Sequence, residues 1–235
     1  MADDGQLPEL TDVEREVYSW QMTVAGFGEE GQRRLKAATV MVDLNELNRK
    51  AGEIIAEITS LARRSGDINQ RSGVSVRVSI ANYESVISNA YRRSLQHRES
   101  KVVPRISDLS AIGPSTMGKM ELETLDDGRG GKILEELTKK AVLNIFGRYM
   151  DVEELGDIVQ GFEEGMVVET GSSRPSSEYV SLLGEIEGFD EPIKRLGADN
   201  THGLIAAAME FILEGLHLKR RLNKDRVEGR YNYRK

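Results

Sequence analysis

THGLIAAAMEFILEGLHLKRRLN, residues 201–223, places Leu204, Ile205, Ala208, Met209, Ile212 and Leu216 in helical register. Such a segment predicts a helix with a long aliphatic face, which other elements must cover. Further helical patterns lie upstream. In DLNELNRKAGEIIAEITSLARR (43–64), Ile54, Ile55, Ile58, Leu61 and Ala62 share one face. In GGKILEELTKKAVLNIFGRYM (130–150), the apolar set is Ile133, Leu134, Leu137, Ala141, Val142, Ile145 and Phe146. Between them, Ile80, Ala81, Val86, Ile87, Ala90 and Leu95 recur roughly at helical spacing. Shorter helices are predicted within 151–165, behind Pro175 and Ser176, and over EPIKRLG (191–197). The segment 99–119 carries two of the five prolines and reads as connection, with a short helix near 106–111. Strand character at 119–123 is weak, and MVVET (166–170) is a brief apolar run.

The expected fold class is therefore mainly α, a helical bundle, preceded by a short N-terminal α/β fragment. The first 42 residues differ in texture from the rest. Thr11 and Glu14 have capping-box spacing, so a helix is expected to start near 12. A glycine turn and a second short helix follow, and ATVMV (38–42) reads as a strand. Three segments result: 1–42, a helical domain over 43–218, and a basic tail over 219–235. The last 19 residues hold eight Lys/Arg against two acids, interleaved with Tyr231 and Tyr233. Such an end could serve as a small nucleic-acid-binding arm, but a frayed, solvated tail is the expected state.

The totals narrow the class of protein. The chain is 39% hydrophobic, 30% charged and only 6% aromatic, so the core should be aliphatic. The net charge of -7 gives no electrostatic footprint for nucleic acid. There are no cysteines, which excludes disulfides and thiolate metal sites and is compatible with a reducing cytoplasm. No signal peptide is read at MADDGQLPEL, and no apolar run approaches the ~20 residues needed to span a bilayer. A cytoplasmic chain without membrane association is expected.

Two glycine motifs fail as nucleotide sites. GFGEEG (26–31) matches the dinucleotide pattern, but Glu29 and Glu30 would repel a pyrophosphate and the flanking strand is doubtful. GRGGKI (128–133) has Asp126 where a phosphate loop needs its first glycine, and Ile133 where it needs Ser or Thr. His97, His202 and His217 lie far apart in sequence and lack zinc-pair spacing. Glu135–Glu136 and Glu163–Glu164 read as solvent faces. No catalytic constellation and no metal site emerge.

Arg77 remains. In NQRSGVSVRVSIANYE (69–84), Gly73 and Ser75 supply a turn and an N-cap, and Arg77 falls in the first helical turn. A cation there opposes the helix dipole by roughly 0.3–1 kcal/mol. A phosphate bound at that end would reverse the sign. A solvated arginine, or one paired with a carboxylate, is the plainer alternative.

The strings at 53–93, 103–112 (VPRISDLSAI), 118–123 (GKMELE), 161–171 (GFEEGMVVETG) and 208–225 (AMEFILEGLHLKRRLNKD) resemble, in order, the C-terminal part of magnesium-chelatase-like AAA+ ATPases near the MoxR group. The resemblance spans about 50–227. NQRSGVSVR (69–77) and FILEGLHLKRRLNK (211–224) are its most specific parts. It implies a helical lid that packs beside a nucleotide domain, and a sensor-2 arginine that reaches the ATP phosphates. Gly73, Ser75 and Arg77 match that motif, and Arg71 is a second candidate for phosphate or intersubunit contact. The implied partners are AAA+ ring subunits or a protein client. ATP and magnesium are implied only together with a partner nucleotide domain, since no Walker A or Walker B motif is present.

A smaller resemblance covers about 9–42. LTDVEREVYSWQMTVAGFGEEGQRRLKAATVMV (10–42) is similar to the N-terminal arm of the MoeB/ThiF/HesA adenylating enzymes. That family usually has Tyr-Ser-Arg-Gln where this chain has Tyr18-Ser19-Trp20-Gln21. Its ATP glycine loop would follow the 38–42 strand, where DLNELN stands instead. The two resemblances meet near residue 43. The alternative functions are a non-catalytic helical interaction module and the remnant of an adenylating enzyme for a ubiquitin-like protein.

Overall fold

A computed structural model describes residues 9–12, 15, 28–30, 33, 46–69, 74–117, 119, 129–198, 201–227 and 230–235. The chain divides into two compact units, Met1–Met41 and Val42–Lys235. In the first, Asp12 and Arg15 are helical and the Arg15 N–H donates to the Thr11 carbonyl at 2.9 Å. Arg15 also pairs with Asp12 at 3.3 Å and Glu29 at 3.1 Å. The strand expected at 38–42 lies outside the described residues.

The second unit is mainly helical, with a small antiparallel sheet. Its helices are α1 (Glu46–Arg64), α2 (Val76–His97), α3 (Ile112–Met117), α4 (Gly130–Tyr149), α5 (Gly156–Glu163), α6 (Ser176–Leu183), α7 (Asp190–Arg195) and α8 (His202–Leu218). Short 3-10 turns at Ile106–Ala111 and Val152–Leu155 lead into α3 and α5. The first of these turns coincides with the short helix expected near 106–111. At the weak strand of 119–123, Lys119 forms a turn, and the rest lies outside the described residues.

Helix α8 is the axis of the core. Every residue from Gly203 to Leu216 is buried, so the helix is covered on all sides, beyond the one face the spacing predicts. Phe211 tilts against Phe146 of α4, ring centroids 5.6 Å apart. The Phe146 ring of α4 lies so close that a Cβ on Gly215 would stand 2.0 Å from it. On α1, Ile54, Ile55, Ile58 and Ala62 are buried as the spacing requires.

Helix α2 departs from its apolar pattern. Ile80 and Leu95 are 55% and 62% exposed, while Asn82, Asn89, Arg93 and Ser94 are buried. The reason is polar pairing. Asn82 Oδ1 accepts from Ser115 Oγ at 2.8 Å and Thr116 Oγ1 at 2.9 Å, and Arg93 is held by carboxylates. A buried polar group is tolerated when its hydrogen bonds are made, and these partners come from distant segments that helical spacing does not reveal.

The C-terminal residues are a correction to the expected tail. β2 (Asn223–Val227) and β3 (Arg230–Arg234) pair antiparallel, and β3 pairs with β1 (Val168–Thr170), giving the order β1-β3-β2. Register aligns Val168, Tyr233 and Lys224, and likewise Thr170, Tyr231 and Arg226, on one face. That face packs on the body: Val168, Thr170 and Tyr233 are at most 2% exposed. Facing-residue burial and ladder pairing outweigh the charge density that argued for fraying.

Candidate functional site

The N-terminal end of α2 is fixed from three sides. Ala62 and Leu61 of α1, Ile68, Val74 and Val78, and Leu137 and Ile133 of α4 form a small apolar cluster beneath it. Arg63 Nε donates to the Val74 carbonyl at 2.9 Å, and the Thr59 and Ser79 hydroxyls lie 2.8 Å apart. Ser75 is the N-cap, at φ -68° and ψ 150°, and its Oγ accepts the Arg77 N–H at 3.2 Å. The first turn contains no acid. Arg77 is exposed and its guanidinium has no carboxylate partner among the described residues. Val76, 61% exposed, and Ile80 flank it. Arg71 and Gly73 lie outside the described residues, so of the four residues singled out in sequence Ser75 and Arg77 are placed, and they are in contact.

At the other end of α2 lies an ionic network that sequence spacing gives no hint of. Arg93 pairs with Asp108 at 2.9 Å and Glu99 at 3.0 Å, and donates to the Val103 carbonyl at 2.6 Å. Arg105 pairs with Glu99 at 3.0 Å, donates to the Arg174 carbonyl at 2.9 Å and bonds Ser176 Oγ. Glu99 also accepts the Ser176 N–H at 2.8 Å, capping α6. Glu210 of α8 accepts from the Tyr179 hydroxyl at 2.6 Å and the Ser107 N–H at 2.8 Å. Burial above all, with the Glu210 charge beside it, pushes the Tyr179 hydroxyl well above its ordinary pKa and keeps it a donor.

Burial opposes ionisation of Glu99, but the Ser176 hydrogen bonds and the Arg105 and Arg93 charges outweigh it and lower its pKa below the ordinary 4.5. A lowered folded-state pKa contributes stability that is present above the ordinary value and lost as pH falls through the lowered one. Acid unfolding of the wild type should therefore steepen below pH 4.5, and Glu99→Gln should flatten that limb in pH-dependent urea titrations. Parallel limbs for the two proteins would show that Glu99 is not the titrating group.

A groove of about 500 Å³ lies between the inner sheet face and the helices. Ile106, Leu109, Ile112, Met117, Leu134 and Val142 form its apolar wall, and Glu210 and Glu214 line it from α8. Glu214 accepts from Lys224 Nζ at 2.6 Å and from the Tyr233 hydroxyl. Lys224 Nζ also stands 4.1 Å from the Tyr231 ring centroid. The signal in sequence was the pair of glutamates four apart on an otherwise apolar helix, whose burial forces them to find partners.

The histidines are structural in their contacts. His97 Nε2 lies 3.0 Å from the Ser172 carbonyl and His217 Nδ1 lies 3.1 Å from the Leu222 carbonyl. His97 and His202, distant in sequence, line one cavity of about 430 Å³. Among the described residues no group of three or more His, Asp or Glu side chains is arranged to hold a metal ion, and no helix is long and apolar enough to cross a membrane. Glu135 is salt-bridged to Lys139 at 2.6 Å and Glu163 to Lys235 at 2.7 Å, all four on the surface.

Comparison with protein-family models, curated proteins and solved structures finds no match to the chain.

Proposed function

We propose that the Val42–Lys235 unit is the helical lid and C-terminal part of a magnesium-chelatase-like AAA+ ATPase, in which Arg77 contacts the phosphates of a nucleotide held by a separate P-loop domain. One observation carries this reading. Arg77 is exposed in the first turn of a capped helix, with no carboxylate partner among the described residues, where the helix dipole disfavours a cation. An anion at that end removes the conflict. The apolar seat beneath it, built from α1, α4 and the Ile68 and Val74 contacts, holds the start of α2 in place, so that the arginine extends from a fixed backbone position. A single arginine cannot replace a phosphate loop with its backbone amides, lysine and magnesium ligand, so the chain alone should hydrolyse no ATP.

The test pairs the full chain with a P-loop domain of the magnesium-chelatase-like class. Magnesium-ATP titrated by calorimetry into the chain alone should give no heat of binding, and turnover should require both proteins. Arg77→Ala should lower that joint turnover by about tenfold or more, the scale of losing one charged contact to a developing phosphate charge. Folding stability should stay the same or rise by roughly 0.3–1 kcal/mol, because an unfavourable dipole contact is removed. Equal joint turnover in the variant would overturn the assignment, as would hydrolysis by the chain alone that disappears with Arg77.

A second reading is an interaction module without nucleotide, favoured by the exposed Val76 and Ile80 beside Arg77. It predicts that Ile80→Asp abolishes association with the partner domain whether or not ATP is present.

A further inference from the structure

The sheet ends at β2, and the backbone register says which of its residues remain open. Val227 faces Arg230 across two intervening residues, and such a pair closes a hairpin with hydrogen bonds. Bonded and non-bonded pairs then alternate along the antiparallel ladder. Asn223, Asp225 and Val227 direct their backbone groups to β3, while Lys224 and Arg226 direct theirs to the outer edge. The same alternation pairs Tyr231 and Tyr233 with β1, consistent with β3 as the central strand. Among the described residues no strand covers the outer edge of β2.

That edge borders the 500 Å³ groove, whose lining includes both Lys224 and Arg226. A strand added there would extend the sheet, and alternate side chains would project from its inner face over the apolar wall of Leu109, Ile112, Met117 and Leu134. The charges are uneven along this rim. Arg230 pairs with Glu169, Arg234 with Asp225 and Lys224 with Glu214. Arg226 is exposed, stacks 6.0 Å over Tyr231, and has no carboxylate among the described residues. Natural edges are commonly blunted by charge; here, among the described residues of the rim, the charge without an oppositely charged partner is Arg226, and it sits beside an apolar groove.

We infer that β2 docks an extended segment of a partner protein by strand addition, with an acidic side chain opposite Arg226 and apolar side chains at alternate positions filling the groove. Main-chain hydrogen bonds from Lys224 and Arg226 supply a sequence-tolerant part of the affinity, and the groove and the Arg226 charge supply the selection. The site is separate from the α2 end that bears Arg77 and does not depend on the nucleotide reading.

The probe is a fluorescent nine-residue peptide with Glu at its central position, Leu two and four residues to either side so that all five share one face, and Thr between them, followed by anisotropy against the full chain. Two control peptides accompany it: one with Lys for Glu, and one with alternate backbone amides methylated so that it cannot pair. The acidic peptide should bind. Arg226→Glu and, separately, Met117→Glu at the exposed groove rim should each weaken it about tenfold. Far-ultraviolet circular dichroism should be unchanged in both, since both side chains are on the surface. The lysine and methylated peptides should bind at least tenfold more weakly. Equal binding of either control peptide, absence of binding by the acidic peptide, or self-association through β2 that the acidic peptide does not compete would each overturn the proposal.

Discussion

Replacing Asp108 with alanine is expected to destabilise the helical unit by about 3–5 kcal/mol, the usual cost of breaking a buried ion pair from one side. Asp108 is fully buried and accepts from Asn89 Nδ2 at 2.7 Å, from the Arg105 N–H at 2.9 Å and from Arg93 at 2.9 Å. Removing the carboxylate leaves the Arg93 guanidinium, 3% exposed as a residue, dependent on Glu99. It also removes the acceptor that holds the 3-10 turn to α2. Urea unfolding of the full chain, read by circular dichroism, measures the loss. Asp108→Asn keeps shape and part of the bonding and should cost less. Combining Asp108→Leu with Arg93→Met should recover much of the loss, because no buried charge remains unpaired. A cost below about 1 kcal/mol for Asp108→Ala would place the site in the class of solvent-screened surface pairs and refute the buried-network description.

Gly215→Ala should cost about 3 kcal/mol, the upper end of what overpacking a core exacts, although alanine is the better helix former by about 1 kcal/mol. The added Cβ would stand 2.0 Å from Phe146 Cδ2, 2.1 Å from Cε2 and 2.5 Å from Cγ. Phe146 is fully buried and packed on Phe211, so its ring cannot swing aside without displacing the core. The compensating pair is Gly215→Ala with Phe146→Leu, which should recover part of the stability. An unchanged melting temperature for Gly215→Ala alone would mean that α4 and α8 are not in close contact at this point.

Helical patterning was enough to anticipate the class and most elements of the second unit. The α1, α4 and α8 stripes became core, and the short helices behind Pro175 and over EPIKRLG formed at α6 and α7. Ser75 as N-cap was also legible, because capping is a local hydrogen bond between residues two apart. The exposure of Arg77 was not legible. Local charge left a solvated arginine, a carboxylate pair and a phosphate contact all open; in the folded chain Arg77 is exposed, with no carboxylate partner among the described residues.

The same division holds along the chain. Spacing alone determined a mainly helical protein with aliphatic stripes, because periodicity of burial is written in adjacent residues. The tertiary structure decided the fate of its charges. Arg93, Asp108, Glu210 and Glu214 are inside, and the basic C-terminus is a paired sheet, because the groups that neutralise or bond them come from segments remote in sequence. Burial of a charge depends on a partner, and partnership at long range is a property of the folded chain.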